Sequence, residues 1–327
     1  MATRRDIVLG LCGLVSVTAL IPRLSLARPA ASGLARISGR AFGTQWQVTL
    51  PADLDTRALG TDLGRVLTGI NQSMSPFRAD SELSRFNRRQ ETTSFAVSEP
   101  LRMVTGKALE IAQLTDGAFN PGVGPAVHRY GFGPIASGRS APHTAFGLSA
   151  EGISKTEPGL SLDLCGIAKG YAVDRLSEYL VDQDITTFLI EVGGEVYARG
   201  KRPDGNPWGV GIADPVRAGI HSVVTLTDLA MATSGDAINA YEIAGRRYSH
   251  TIDPATGEPV RNNVASVSVL APTALEADAL ATALLVMGPD RGLAFASANR
   301  LPALYLLRDN GTLEARRNSF FTELGKV

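Results

Sequence analysis

The chain has 327 residues, 44% of them apolar, enough to bury one large core or two closely packed ones. Its 32 basic and 32 acidic residues cancel, and no block of like charge stands out. That balance argues against a nucleic-acid surface or a polybasic membrane patch.

In chain order, the first segment reads as an address and not as part of a fold. Arg4 and Arg5 precede an apolar run from Ile7 to Ile21, and Ser25-Leu26-Ala27 gives a small-x-small cleavage pattern. The run is short beside the roughly 17–25 residues of a membrane helix. Residues 1–27 therefore read as a twin-arginine-type signal peptide, with an uncleaved anchor as the alternative, and the mature protein is expected in the periplasm. Leu11 stands before Cys12 where a lipoprotein signal carries a small residue, so a soluble, unlipidated mature chain without a transmembrane segment is expected. Cys12 would leave with the signal, and Cys165 would then have no partner for an intramolecular disulfide.

Residues 28–40, with many small residues between Ala30 and Gly39, read as a linker to a single domain over 41–327. Gln45 to Leu50 alternates as a strand, and Asp53 to Gln72 carries Leu54, Leu63, Val66, Leu67 and Ile70 at helical spacing. Ser98 looks like the N-cap of a helix ending near Asp116-Gly117. The Gly-, Pro- and Ser-rich stretch from Asn120 to Gly159 predicts a surface or ligand-covering loop, and a second helix is expected from about Gly166 to Val181. Strands are expected at Thr187–Val192, Glu195–Ala198, Trp208–Ile212, Ser222–Thr227, Ser266–Leu270 and Ala303–Arg308, with a last helix over about Thr273 to Met287. Strands in runs between separated helices predict an α+β fold with mixed, largely antiparallel sheets, not a doubly wound one.

Familiar nucleotide motifs are missing. There is no Walker A string, and Gly131 to Ala136 imitates a dinucleotide glycine pattern while placing Pro134 where an amide is needed. His128, His143, His221 and His250 lack zinc spacing, and no Gly-x-Ser-x-Gly elbow occurs. Within the last predicted helix, Asp278 and Thr282 stand one turn apart on one face. A carboxylate and a hydroxyl at that spacing converge as a hard divalent ion requires.

Further strings accompany that pair. They include MSPFRADSELSRFN from Met74, TDGAFNPGVGPAVHRYGFG from Thr115 and DLCGIAKGYAVDR from Asp163. EVGGEVYARG from Glu191, WGVGIADP from Trp208, ATSGD from Ala232 and SHTIDPATGEPV from Ser249 follow. In this order, over about residues 41 to 290, they resemble the ApbE family, the FAD:protein FMN transferases.

The resemblance implies cleavage of the FAD diphosphate and movement of FMN onto a Ser or Thr hydroxyl of an acceptor protein, releasing AMP. It implies Mg2+ held by Asp278, Thr282 and a backbone oxygen at Gly166. Some relatives carry a further Asp where this chain has Ala281, so the site here has less charge. It also implies flavin contacts from Phe42, Phe77, Ala118, Phe119, Asn120 and Ile252, and adenosine or diphosphate contacts from Asp163 and Lys169. Several have a structural alternative: core packing for Phe42 and Phe77, helix capping for Asp163, an ordinary solvated lysine for Lys169, and close helix packing for Gly166 and Gly170, whose backbones the resemblance instead implies approach the ligand. Asn120 replaces the usual Asp and keeps an acceptor oxygen without its charge. His250 is the natural general base, with Asp278 the other candidate. FAD hydrolysis to FMN and AMP at the same site is one competing activity. A non-catalytic FAD-binding maturation factor is another, of the kind associated with NosX and nitrous oxide reductase assembly. The acceptor is expected to be a membrane-bound or exported redox protein.

Overall fold

A computed structural model of the chain describes residues 33–236, 240–243 and 246–324. The expected signal peptide and the start of the linker lie outside these residues. Strands β1 (Leu34–Ala41) and β2 (Thr44–Pro51) form a hairpin closed by Phe42 and Gly43, at φ 53° and 74°. A two-residue turn with positive φ at both positions matches the twist of the paired strands. Leu34 to Gly39, expected in the linker, is thus edge-strand backbone paired with β2. Helix α1 (Thr56–Met74) begins where the Asp55 carboxylate accepts the Arg57 amide, and it buries Leu59, Leu63, Leu67 and Ile70.

Helices α2 (Glu82–Arg88), α3 (Glu99–Leu114) and α4 (Gly124–Arg129) follow, then hairpin β3 (Phe146–Ser149) and β4 (Gly152–Lys155). The expected loop over 120–159 therefore holds a helix, a 3₁₀ turn at His143–Ala145 and a hairpin. Its glycines and prolines punctuate short elements instead of abolishing them. Lys155 helps tie the segment down: its buried ammonium donates to the carbonyls of Phe86, Asn87 and Leu160.

Helix α5 (Ala168–Asp182) leads into β5 (Phe188–Val192), β6 (Glu195–Arg199), β7 (Trp208–Ala213), β8 (Ile220–Leu226) and β9 (Leu229–Gly235). Short pairs β10 (Ala240–Ile243) with β11 (Arg246–Ser249), and β12 (Ile252–Asp253) with β13 (Glu258–Pro259), come next. The chain ends with β14 (Val264–Ala271), α6 (Ala274–Met287), α7 (Pro289–Ala298), β15 (Ala303–Asp309), β16 (Thr312–Arg317) and α8 (Ser319–Leu324). The expected last helix, α6, is thus followed by two more. Gly288, at φ 75°, ends α6, and Pro289 opens α7 at once.

One eight-stranded sheet, ordered β1-β2-β5-β6-β9-β14-β15-β16, organises the domain, and every pairing in it is antiparallel. The expected α+β class with largely antiparallel sheets holds. Alternation along β15 explains its two-sided burial: Ala303, Tyr305 and Leu307 join the helical core, while Leu304 and Leu306 pack with Trp208, Leu226 and Phe321. On the helical face α6 packs against β9 and β14 and against α5. It is apolar all round, as a helix enclosed on every side must be. Asp278 is the buried charge on that helix, Glu276 in its first turn lying nearer the surface. Among the described residues no helix is long and apolar enough to cross a membrane.

Candidate active site

Asp278 is 3% exposed, on a helix that otherwise buries alanine and leucine. Such a carboxylate needs partners. One comes from the N-terminal turn of α5, where the Gly170 amide donates to Oδ2 at 3.0 Å. The helix end adds its favourable dipole. The two helices approach this closely because residue 170 has no side chain: a Cβ there would lie 2.2 Å from the Ala274 carbonyl oxygen. Gly170 is therefore a close-packing glycine, the alternative that the family resemblance had set aside.

The second partner is Lys169. Its Nζ is 3.8 Å from Asp278 Oδ1 and 2.5 Å from Oε1 of Glu195, a residue only 2% exposed. Desolvation acts against the ammonium, but Asp278 and Glu195 outweigh it and hold the Lys169 pKa above the ordinary lysine range. Desolvation raises both carboxyl pKa values, with the Lys169 charge pulling the other way. Sequence reading assigned Glu195 no role, although its string EVGGEVYARG was in view. The signal was a carboxylate placed directly after two glycines that form a tight turn.

One turn beyond Asp278, Thr282 Oγ1 lies 3.3 Å from Ser234 Oγ on β9. A Cβ on Gly166 would meet Thr282 Oγ1 at 3.3 Å and Phe119 Cε2 at 3.2 Å. Gly166, Asp278 and Thr282 are thus brought together around the α5–α6 crossing, with Ser234 as an unforeseen neighbour. Asp278 Oδ1 stands too far from Lys169 for a hydrogen bond, so this oxygen can still take a cation. Among the described residues no group of three His, Cys, Asp or Glu could hold a metal. The donors present, one carboxylate with hydroxyls and backbone carbonyls, are hard oxygens and fit Mg2+, which retains water and ligand oxygens. Ala281 is fully buried, and no second carboxylate enters from that turn.

A cleft of about 430 Å³ is lined by Ala118, Asn120 and Ile252, together with Asp116, His143 and Arg291. Three of the expected flavin contacts therefore share one wall system, of a size suited to a ring ligand. Phe119, between two of them, turns inward and is 3% exposed, in the core beside Gly166. Asn120 is committed at both ends: its Nδ2 donates to Ala141 and its Oδ1 accepts from Gly122. That oxygen braces the loop with one lone pair and keeps a second for a ligand in the cleft. Phe42 sits in the β1–β2 turn with its ring half-buried against the core. Phe77 is 69% exposed and does not line the cleft.

Asp163 is buried, and its Oδ1 accepts the Cys165 amide at 2.9 Å, so it shapes the turn leading into α5. His250 follows β11 directly and meets the Phe132 ring edge-on, 6.2 Å between centroids. Its hairpin is fastened by Asp236, a carboxylate that accepts from Arg247 on β11 at 2.6 Å and from Arg308 on β15. Phe132, Tyr241 and Tyr248 stack beside the same hairpin.

The family model described as the ApbE family matches residues 42–305. A Vibrio cholerae protein called FAD:protein FMN transferase is 39% identical, covering 96% of this chain and 99% of that protein. The solved flavin transferase ApbE from Vibrio cholerae superposes with a TM-score of 0.82 at 35% identity, covering 89% of this chain and 99% of its own. The apo flavinyl transferase ApbE of Pseudomonas stutzeri gives 0.81 at 30% identity, over 90% and 97%.

Proposed function

The chain belongs to the ApbE family, and we propose that it is an FAD:protein FMN transferase, Mg2+-dependent and directed at a Ser or Thr hydroxyl of an exported or membrane-bound acceptor. The observation that carries this reading is the buried Asp278, clasped by the start of α5 and flanked by Thr282 and Lys169.

The acceptor hydroxyl oxygen forms a new bond to the FMN phosphorus. The bond from that phosphorus to the bridging oxygen breaks, and AMP leaves with the bond's electrons. Such a transfer depends on charge neutralisation and placement more than on covalent chemistry by the protein. Asp278, Thr282 and the Gly166 backbone would hold Mg2+, whose bound charge would offset that of the diphosphate. Lys169 supplies a second cation beside the same phosphates, fixed by its contact with Glu195. The cleft at Ala118, Asn120 and Ile252 orients the isoalloxazine and keeps water off it. His250 takes the hydroxyl proton, an effect worth about 10²–10⁴ in rate.

The protein acts in the periplasm after folded export by the signal read in residues 1–27. Purified mature protein incubated with FAD, Mg2+ and a threonine-containing acceptor peptide tests the reaction. Flavin covalently on the peptide with stoichiometric AMP is the expected result. Free FMN plus AMP would replace the reading with FAD hydrolysis, and unchanged FAD would replace it with flavin carriage.

A further inference from the structure

Glu195 is a buried carboxylate that the proposed reaction does not consume. It reaches its place through a turn that only glycine suits: Gly193 and Gly194 lie at φ 62° and 107°, and Val192 pairs with Glu195 across them. The turn presses against the Lys169 stem, since a Cβ on Gly193 would lie 3.4 Å from Lys169 Cδ and 2.7 Å from Thr44 Cγ2. Oε1 of Glu195 then meets the ammonium at 2.5 Å, while Oε2 is buried and accepts no hydrogen bond. A buried carboxylate with one oxygen left bare is costly, and a pairing kept at that cost calls for a reason.

The distances supply one. Two carboxylates compete for one ammonium, and Glu195 wins, 2.5 Å against 3.8 Å. Resting on the transferase reading above, we infer that Glu195 is a positioning residue that draws Lys169 away from Asp278, so that Asp278 Oδ1 stays open for the divalent cation. Without that pull, Lys169 closes onto Asp278, which already accepts the Gly170 amide through its other oxygen. The carboxylate then has no free oxygen, and the cation competes against an ion pair in a poorly solvated site, where charges interact strongly.

The test is Mg2+ binding to the FAD-free mature protein by titration calorimetry, with FMN transfer measured alongside. Glu195→Gln should weaken Mg2+ binding about tenfold or more, because the amide no longer outbids Asp278 for the ammonium. Glu195→Gln combined with Lys169→Met should bring Mg2+ binding back to within about threefold of wild type, since nothing then occupies Asp278. Glu195→Asp keeps the charge but shortens the reach, and it should also weaken Mg2+ binding, by about threefold or more. Thermal melts of each variant separate misfolding from a site effect, and recovery in the double variant could not come from a misfolded protein. Wild-type Mg2+ binding in Glu195→Gln or in Glu195→Asp would overturn the inference. In the second case the charge alone would suffice. If the wild type transfers FMN while either result is found, only this inference falls; if the wild type neither binds Mg2+ nor transfers FMN, both fall.

Discussion

The Gly170 amide donates to Oδ2 of Asp278 at 3.0 Å, joining the first turn of α5 to the second turn of α6 through a buried carboxylate whose other oxygen faces Lys169. The same glycine lets the helices touch, with the Ala274 carbonyl 2.2 Å from where a Cβ would stand. Gly170→Ala should therefore push the helices apart and lower stability by about 3 kcal/mol, at the upper end of ordinary overpacking. Denaturant unfolding measures it. A variant within about 0.5 kcal/mol of wild type would show that the crossing has more room than these distances allow.

Asp278 supplies the only charge assigned to the metal. Chelating Mg2+ should abolish FMN transfer and adding it back should restore it, whereas Asp278→Ala should stay inactive at any Mg2+ concentration. The expected loss is several kcal/mol of barrier stabilisation. Thr282→Val should be milder, because a neutral hydroxyl contributes less and water can take its place. Transfer by Asp278→Ala at the wild-type rate would mean that the cation sits elsewhere.

The part of this site that spacing alone could read lies within one element. Asp278 and Thr282 share a helix face, so spacing alone united them, and Ala118, Asn120 and Ile252 were joined by the resemblance. What spacing could not supply were contacts between distant segments. Glu195 reaches Lys169 only because β5 and β6 turn at two glycines over the start of α5. Asp236, Arg247 and Arg308 meet only when three strands are in place. Strand periodicity located most of the central sheet. It passed over β1, which a run of small residues disguised as linker, over β9 and β16, and over the hairpin of β3 and β4, hidden among glycines and prolines.

A pH effect follows from Asp174 on α5, whose carboxylate accepts the first two amides of α6, from Ala274 at 2.8 Å and Leu275 at 2.9 Å. Burial pushes its pKa up to about 6 from 3.8, against the pull of those amides. The folded protein then holds this proton more tightly than the unfolded chain. Stability from the protonated group is fully present below about pH 4 and is lost as pH rises through about 6. Asp174→Asn keeps an acceptor oxygen and has nothing to ionise, so its stability relative to wild type should improve between about pH 4 and pH 7.5. Asp174→Ala loses the cap and should cost about 1–2 kcal/mol near pH 4, a cost that shrinks toward about pH 7.5 because it too has nothing to ionise. Denaturant midpoints at the two pH values decide, and an Asn variant whose difference from wild type does not change with pH would refute the assignment.

Export should depend on both leading arginines. Arg4→Lys with Arg5→Lys should leave the precursor in the cytoplasm with its FAD chemistry intact, as fractionation with an FMN-transfer assay would register. Normal export of the double variant would point to the general secretory route, which carries unfolded chains.

His250 stands where the hairpin of β10 and β11 ends, and Asp236 fastens that hairpin to the sheet through Arg247 and Arg308. A side chain held this way can act on a proton without contributing to the cleft that takes the flavin, and His250 is not among the residues lining it. His250→Asn should therefore leave FAD affinity nearly unchanged while lowering single-turnover FMN transfer by about 10²–10⁴. The wild-type pH–rate profile should show an ascending limb that the variant lacks, because only the deprotonated imidazole can accept the hydroxyl proton. If His250 orients the flavin instead, affinity should fall together with turnover and the limb should persist. Full transfer by His250→Asn would pass the base role to Asp278, the other candidate.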